Sequence, residues 1–124
     1  MKNREIIEHI NAIGAFTKDK MPTKLSFAVV KNFNKLQAAY KDYDQARLNL
    51  IDIYAEKDDE GKNKLGEDGT AIIKTDSQDT FLTEINELLD IEVEIDVHMV
   101  DYSVIENIQL AVADMAAIEF MIKE

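Results

Sequence analysis

The chain has no cysteine and no tryptophan, one proline, four glycines and two histidines in 124 residues. Each scarcity closes off a class of chemistry. Without cysteine there is no disulfide framework, no thiolate nucleophile and no zinc–thiolate site. Two histidines leave few bases to activate a serine, and no nucleophile elbow surrounds the serines present. Three of the four glycines fall between positions 61 and 69 and make neither G-x-x-x-x-G-K-[ST] nor G-x-G-x-x-G, so no phosphate cradle is expected. No apolar run reaches the roughly 18 residues of a membrane-crossing helix. The opening MKNREIIEHI lacks the apolar stretch of a secretory signal, so a soluble intracellular protein is expected. One absence is local: residues 75–122 hold twelve Asp/Glu and no Lys or Arg.

What is present is 46% apolar and 31% charged, the composition of one globular domain. The expected domain spans residues 1–124, helical through 55, then hairpin, helix, strand and closing helix over 56–124. Residues 1–55 carry nine Lys/Arg against six Asp/Glu, and residues 56–124 carry five against nineteen. The second half should repel nucleic acid and attract basic partners. Solubility alone is the simpler reason for the same acidity.

NREIIEHINAIGAF places Ile6, Ile10 and Ile13 on one helical face, with Asn3 as its N-cap and Gly14 near its end. TKDKMP breaks the pattern before Pro22. Then Val29, Phe33, Leu36, Tyr40, Tyr43, Arg47, Leu50 and Tyr54 recur at alternating steps of four and three, flanked by Ala39, Ala46 and Ile53. No Gly or Pro lies between Thr23 and Gly61, so this heptad stripe predicts one helix on the order of 45–50 Å long. Its stripe can pack on helices of the same chain, or pair with a second copy or a partner. GKNKLGEDGTAIIKT reads as a hairpin, and DSQDTFLTEINELLD as a helix capped by Asp76 or Ser77 with Phe81, Ile85 and Leu88 inward. In IEVEIDVHMV, Ile91, Val93, Ile95, Val97 and Met99 alternate with Glu92, Glu94, Asp96 and His98, the pattern of a half-buried strand. LAVADMAAIEFMIKE closes the chain as a helix, with Leu110, Met115, Ile118 and Ile122 available to the core. No internal repeat is apparent. The expected fold is α+β: one long and three shorter helices with a small antiparallel sheet made of the hairpin plus one strand.

Two stretches invite a chemical reading. EKDDEGKNKLGE sets Asp58, Glu60, Gly61 and Glu67 at calcium-loop positions three, five, six and twelve. Glu56 replaces the first Asp, Asn63 the apolar pairing residue and Lys64 a ligand, and no exiting helix follows. It reads as a turn. On the alternating strand, Glu92, Glu94 and Asp96 stand about 6.5–7 Å apart, too far for neighbours to grip one ion directly. A solvated or partner-binding face is the commoner cause, with Lys62, Lys64 and Lys74 as cross-strand ion-pair partners. His9, alone among isoleucines, reads as a partly buried helix residue. No catalytic residue, metal ligand or cofactor is expected.

MPTKLSFAVVKNFNKLQ, the Tyr40–Tyr43–Arg47 spacing, YAEKDDEGK, INELLDIEVEIDVH and AAIEFMI occur in an order that resembles a family of small, uncharacterised phage and prophage proteins of Gram-positive bacteria. The resemblance runs from about Pro22 to the end and brings no active-site residues with it. It implies a hairpin of variable length after the long helix and a phage accessory role in the bacterial host cytoplasm. Two classes of function follow. One is a non-enzymatic, anti-CRISPR-like or anti-restriction inhibitor whose carboxylates Glu92, Glu94 and Asp96 mimic phosphates in a basic channel. The other is a virion or assembly component of the tail or baseplate region, docking through Tyr43, Arg47 and Tyr54. The implied neighbourhood of tail and lysis genes favours the second, and acidity the first. Partners are then a host defence protein or a phage structural protein, or a second copy along the long helix, with no direct nucleic-acid binding and no membrane.

Overall fold

A computed structural model describes residues 1–16 and 21–124. The break read at TKDKMP falls mainly on residues 17–20, outside the described residues. The chain is mixed helix and strand, with four α-helices and a two-stranded sheet among the described residues. It divides into two compact units, Met1–Tyr40 with Glu92–Glu124, and Lys41–Ile91. The divisions fall inside the long helix and after Ile91.

In the first unit, α1 (Asn3–Gly14) starts one residue earlier than the sequence suggests. Lys2 is its N-cap, and the Lys2 N–H donates to Glu5 Oε1 at 3.0 Å, which occupies one of the donors a helix start leaves open. Asn3 is instead buried at the first helical position. The long helix α2 (Thr23–Tyr54) is unbroken over 32 residues, as the lack of Gly and Pro requires. All eight residues of its heptad stripe are buried or half-buried, whereas Ile53 on the flank is exposed. Leu25, Ala28, Val29 and Leu36 join Ile6, Ile13 and Phe16 in the core, together with Val100, Ile105, Ala117, Ile118 and Met121.

The antiparallel sheet does not form. β1 (Val100–Asp101) pairs in parallel with β2 (Ile122–Lys123), Val100 opposite Ile122. Residues 92–99 form no strand, and other groups take their backbone. Val93 exchanges two hydrogen bonds with Met1, at 2.8 and 3.0 Å, and a single antiparallel bridge joins Lys2 to Glu92. The closing helix is also shorter than expected. α4 (Val112–Ile118) tightens into a 3-10 turn, Glu119–Met121, because Ile122 must be extended to meet β1. Ile118 and Met121 are buried, while Met115, expected inward, is exposed.

The second unit holds the rest of α2, residues 55–74, and α3 (Gln78–Leu89) behind a 3-10 turn, Thr75–Ser77. Where the sequence suggests one hairpin there are three short extended segments closed on one another. Glu56 N–H donates to the Ile72 carbonyl at 2.8 Å, Lys64 to Glu56 at 2.8 Å and Ile72 to Lys64 at 2.9 Å, making a ring. A second set runs from Asp58 to Lys62, Gly66 to Thr70 and Lys74 to Tyr54, at 2.8, 2.8 and 2.9 Å. Single antiparallel bridges join Lys57 to Asn63, Leu65 to Ala71 and Ala55 to Ile73. A step of eight residues carries each bond onto the next, so an internal threefold repeat exists in the backbone although none is apparent in the residues. Its turns close by Gly61 to Asp58, Gly69 to Gly66 and Ser77 to Lys74 hydrogen bonds. At Gly61 and Gly69 φ is +80° and +81°, the left-handed position that ends a three-residue hairpin loop. α3 takes the place of a third return.

Candidate functional site

The alternation in residues 92–97 is real in burial: Glu92, Glu94 and Asp96 are exposed while Val93, Ile95 and Val97 pack against the core. It then loses phase. A tight turn at Asp96, with Val97 N–H donating to the Ile95 carbonyl at 3.1 Å, is followed by Met99 exposed and Val100 buried. His98 is therefore half-buried rather than on the wet face, its ring edge-on to Phe27 at 5.5 Å. Ile91, expected inward, is exposed.

What holds this segment is a side chain instead of a neighbouring strand. Asn32, 1% exposed, accepts from the His98 N–H at 2.7 Å and donates to the His98 carbonyl at 2.9 Å. The amide thus supplies the donor and acceptor that a paired strand would. Asn32 lies within the apolar run of α2 between Val29 and Leu36; a polar residue at that helical spacing was the one sequence signal for it. Lys35, one turn on, donates to the Asp96 carbonyl at 2.6 Å and stands 3.9 Å from its carboxylate.

The carboxylates themselves are differently placed. Glu92 pairs with the Met1 amine at 3.0 Å and Asp96 with Lys35, where the sequence suggested the hairpin lysines. Lys62 instead lies 3.8 Å from Glu60. Both paired carboxylates remain open, at 68% and 102% side-chain exposure. Glu94 is exposed between them, and the three line a shallow concavity with Met1.

The tyrosine set has its own partners. Tyr43 is buried. Arg47 makes a forked contact with Asp44, Nε at 3.1 Å and Nη2 at 2.8 Å from Oδ1. Tyr54 meets the Phe81 ring at 6.2 Å, and the Glu84 carboxylate near its hydroxyl raises the phenol above its ordinary 10.0. These three residues belong to the second unit and the three carboxylates to the first.

The calcium-loop residues form turns. Asp58 Oδ1 accepts the Glu60 and Lys62 N–H groups at 2.9 and 3.0 Å, and Asp68 Oδ1 does the same for Thr70 at 3.1 Å. The Thr70 bonds lower the Asp68 pKa. Among the described residues no group of three or more His, Asp or Glu is arranged to hold a metal ion. No helix of the described residues is long and apolar enough to cross a membrane.

Comparison with models of known protein families, with curated proteins and with solved structures finds no match.

Proposed function

We infer that the protein acts by binding a macromolecule, without catalysis, through the segment that carries Glu92, Glu94 and Asp96. The supporting observation is mechanical. Three exposed carboxylates project from a backbone clamped at Val93 by Met1 and at His98 by Asn32. Little ordering entropy is then lost when a partner docks on them. A rigid row of anions fits a channel built for phosphates, and a net charge of −11 steers association toward a basic target. With the phage resemblance, the reading is an inhibitor of a host defence nucleoprotein, of the anti-CRISPR or anti-restriction kind, acting in the bacterial cytoplasm.

The test uses purified Cas effector complexes and restriction endonucleases, with nucleic-acid cleavage as the readout. The wild-type chain should inhibit one of them. A variant with Glu92→Gln, Glu94→Gln and Asp96→Asn should associate more slowly and with less dependence on salt. Equal inhibition by this variant at low and high salt overturns the reading.

A second reading, a tail or baseplate component, is supported by a different set of residues than the tyrosines. Ile53, Leu65 and Leu82 of the second unit are 62%, 63% and 57% exposed, apolar side chains available to a docking partner. Under this reading the chain co-purifies with virions, and Leu65→Asp with Leu82→Asp releases it while the carboxylate variant does not.

A further inference from the structure

α4 has two apolar faces, and the core covers one. Ala117 and Ile118 are buried. Val112, Met115 and Ala116 follow the i, i+3, i+4 spacing of a single helical stripe, and with Glu119 of the 3-10 turn they line an open groove of about 340 Å³. Val112 is 88% exposed and Met115 40%. Tyr102, 49% exposed, and Ile105 form the opposite wall. Along β2 and the residue after it, Ile122 and Glu124 line the groove while Lys123 between them does not, as strand alternation requires. The charged lining among the described residues is therefore Glu119 and Glu124 alone.

This combination selects an occupant by charge. A second copy seated on the groove would bring two acidic linings together, Glu119 and Glu124 from each side, on a chain already at −11. Nucleic acid and an anionic lipid surface are repelled for the same reason. An apolar floor with acidic edges is complementary to one large aliphatic or aromatic side chain flanked by cations. We propose that the groove between α4 and the Tyr102–Ile105 wall binds a basic segment of a partner protein, one apolar anchor on Val112 and Met115 with Lys or Arg reaching Glu119 and Glu124. The site is distinct from the Glu92–Glu94–Asp96 row and does not depend on the function proposed for it.

The experiment titrates the full chain with fluorescent peptides that carry a central Leu, Met or Phe flanked by Lys or Arg, beside matched peptides flanked by Glu. Anisotropy reports binding, and methyl NMR reports the location. Basic peptides should bind saturably and shift the Met115 and Ile122 methyls, and acidic ones should not. Val112→Asp, at an exposed position, should weaken binding at least tenfold. Glu119→Lys should weaken basic peptides selectively and remove much of the salt dependence. The Glu92→Gln, Glu94→Gln, Asp96→Asn variant should bind like wild type, which keeps this result separate from the inhibitor reading. Failure of every basic peptide to shift Met115 or Ile122 overturns the proposal, as does equal binding by acidic peptides or by both groove variants. A wild-type dimer dissolved by Val112→Asp would also overturn it, by giving the groove to a second copy.

Discussion

His9 is a residue whose ionisation the fold changes. Its ring stacks on Phe120 with centroids 4.1 Å apart, and partial burial lowers its pKa from 6.5, opposed by Glu5 and Glu8. The folded chain therefore binds this proton more weakly than the unfolded chain does. As pH falls below about 6.5 the unfolded state takes up more protons, so stability drops; above that value the contribution is complete. His9→Phe keeps a ring on Phe120 and removes the titration. Urea midpoints measured from pH 7.5 to 5 should fall for wild type and stay flatter for the variant, before carboxylates titrate near 4. Equal slopes would place the acid sensitivity elsewhere. The partly buried environment of His9 was readable from the isoleucines around it. The stacking partner was not, because Phe120 lies more than a hundred residues away and only chain packing brings it near.

At the scale of elements, the threefold set of turns depends on Gly61 and Gly69, while Gly14, at the end of α1, has no such role. Gly61 and Gly69 occupy positive φ, where a Cβ costs roughly 1–2 kcal/mol. Gly14 ends α1 without positive φ, and nothing lies within 4 Å of a Cβ added there. Gly61→Ala and Gly69→Ala should each destabilise by about that amount, whereas Gly14→Ala should stabilise by about 0.4–1 kcal/mol through the unfolded state. Thermal denaturation of the three variants checks this, and a stable Gly69→Ala protein would remove the case for a required left-handed turn. The sequence shows a turn around Gly61 and a hairpin through the glycines that follow. It does not show the repeat they belong to, because that resides in which carbonyl each N–H reaches.

For the whole molecule, stability should be unequally distributed. Every member of the large buried cluster belongs to the first unit. In the second, Ala55 and Tyr43 are the buried hydrophobic residues among those described, and the closed backbone rings carry much of the rest. Such bonds contribute about 1 kcal/mol each against water, less than a buried Leu or Ile side chain at about 1.5–3 kcal/mol. Native-state hydrogen exchange should therefore find the Glu56, Lys64 and Ile72 amides opening at lower free energy than those of Val29 and Leu36. Equal protection at both sets would mean that the chain opens as one cooperative body.

The sequence by itself determined the unbroken long helix, its buried stripe, the exposed row Glu92, Glu94 and Asp96, and the turn around Asp58 and Gly61. Each is a local pattern: helical and strand periods put neighbours a few residues apart on one face, so the residues record burial directly. Tertiary structure decided the parallel pairing of Val100 with Ile122, the Asn32 clamp on His98, the ion pairs of Glu92 and Asp96, and the outer apolar face of α4. These depend on which distant backbone group meets which donor, and periodicity is silent about partners. The phase slip after Asp96 shows the limit most plainly, since the alternating residues continue past the point where the chain turns and only the core on one side decides which of them stay inside.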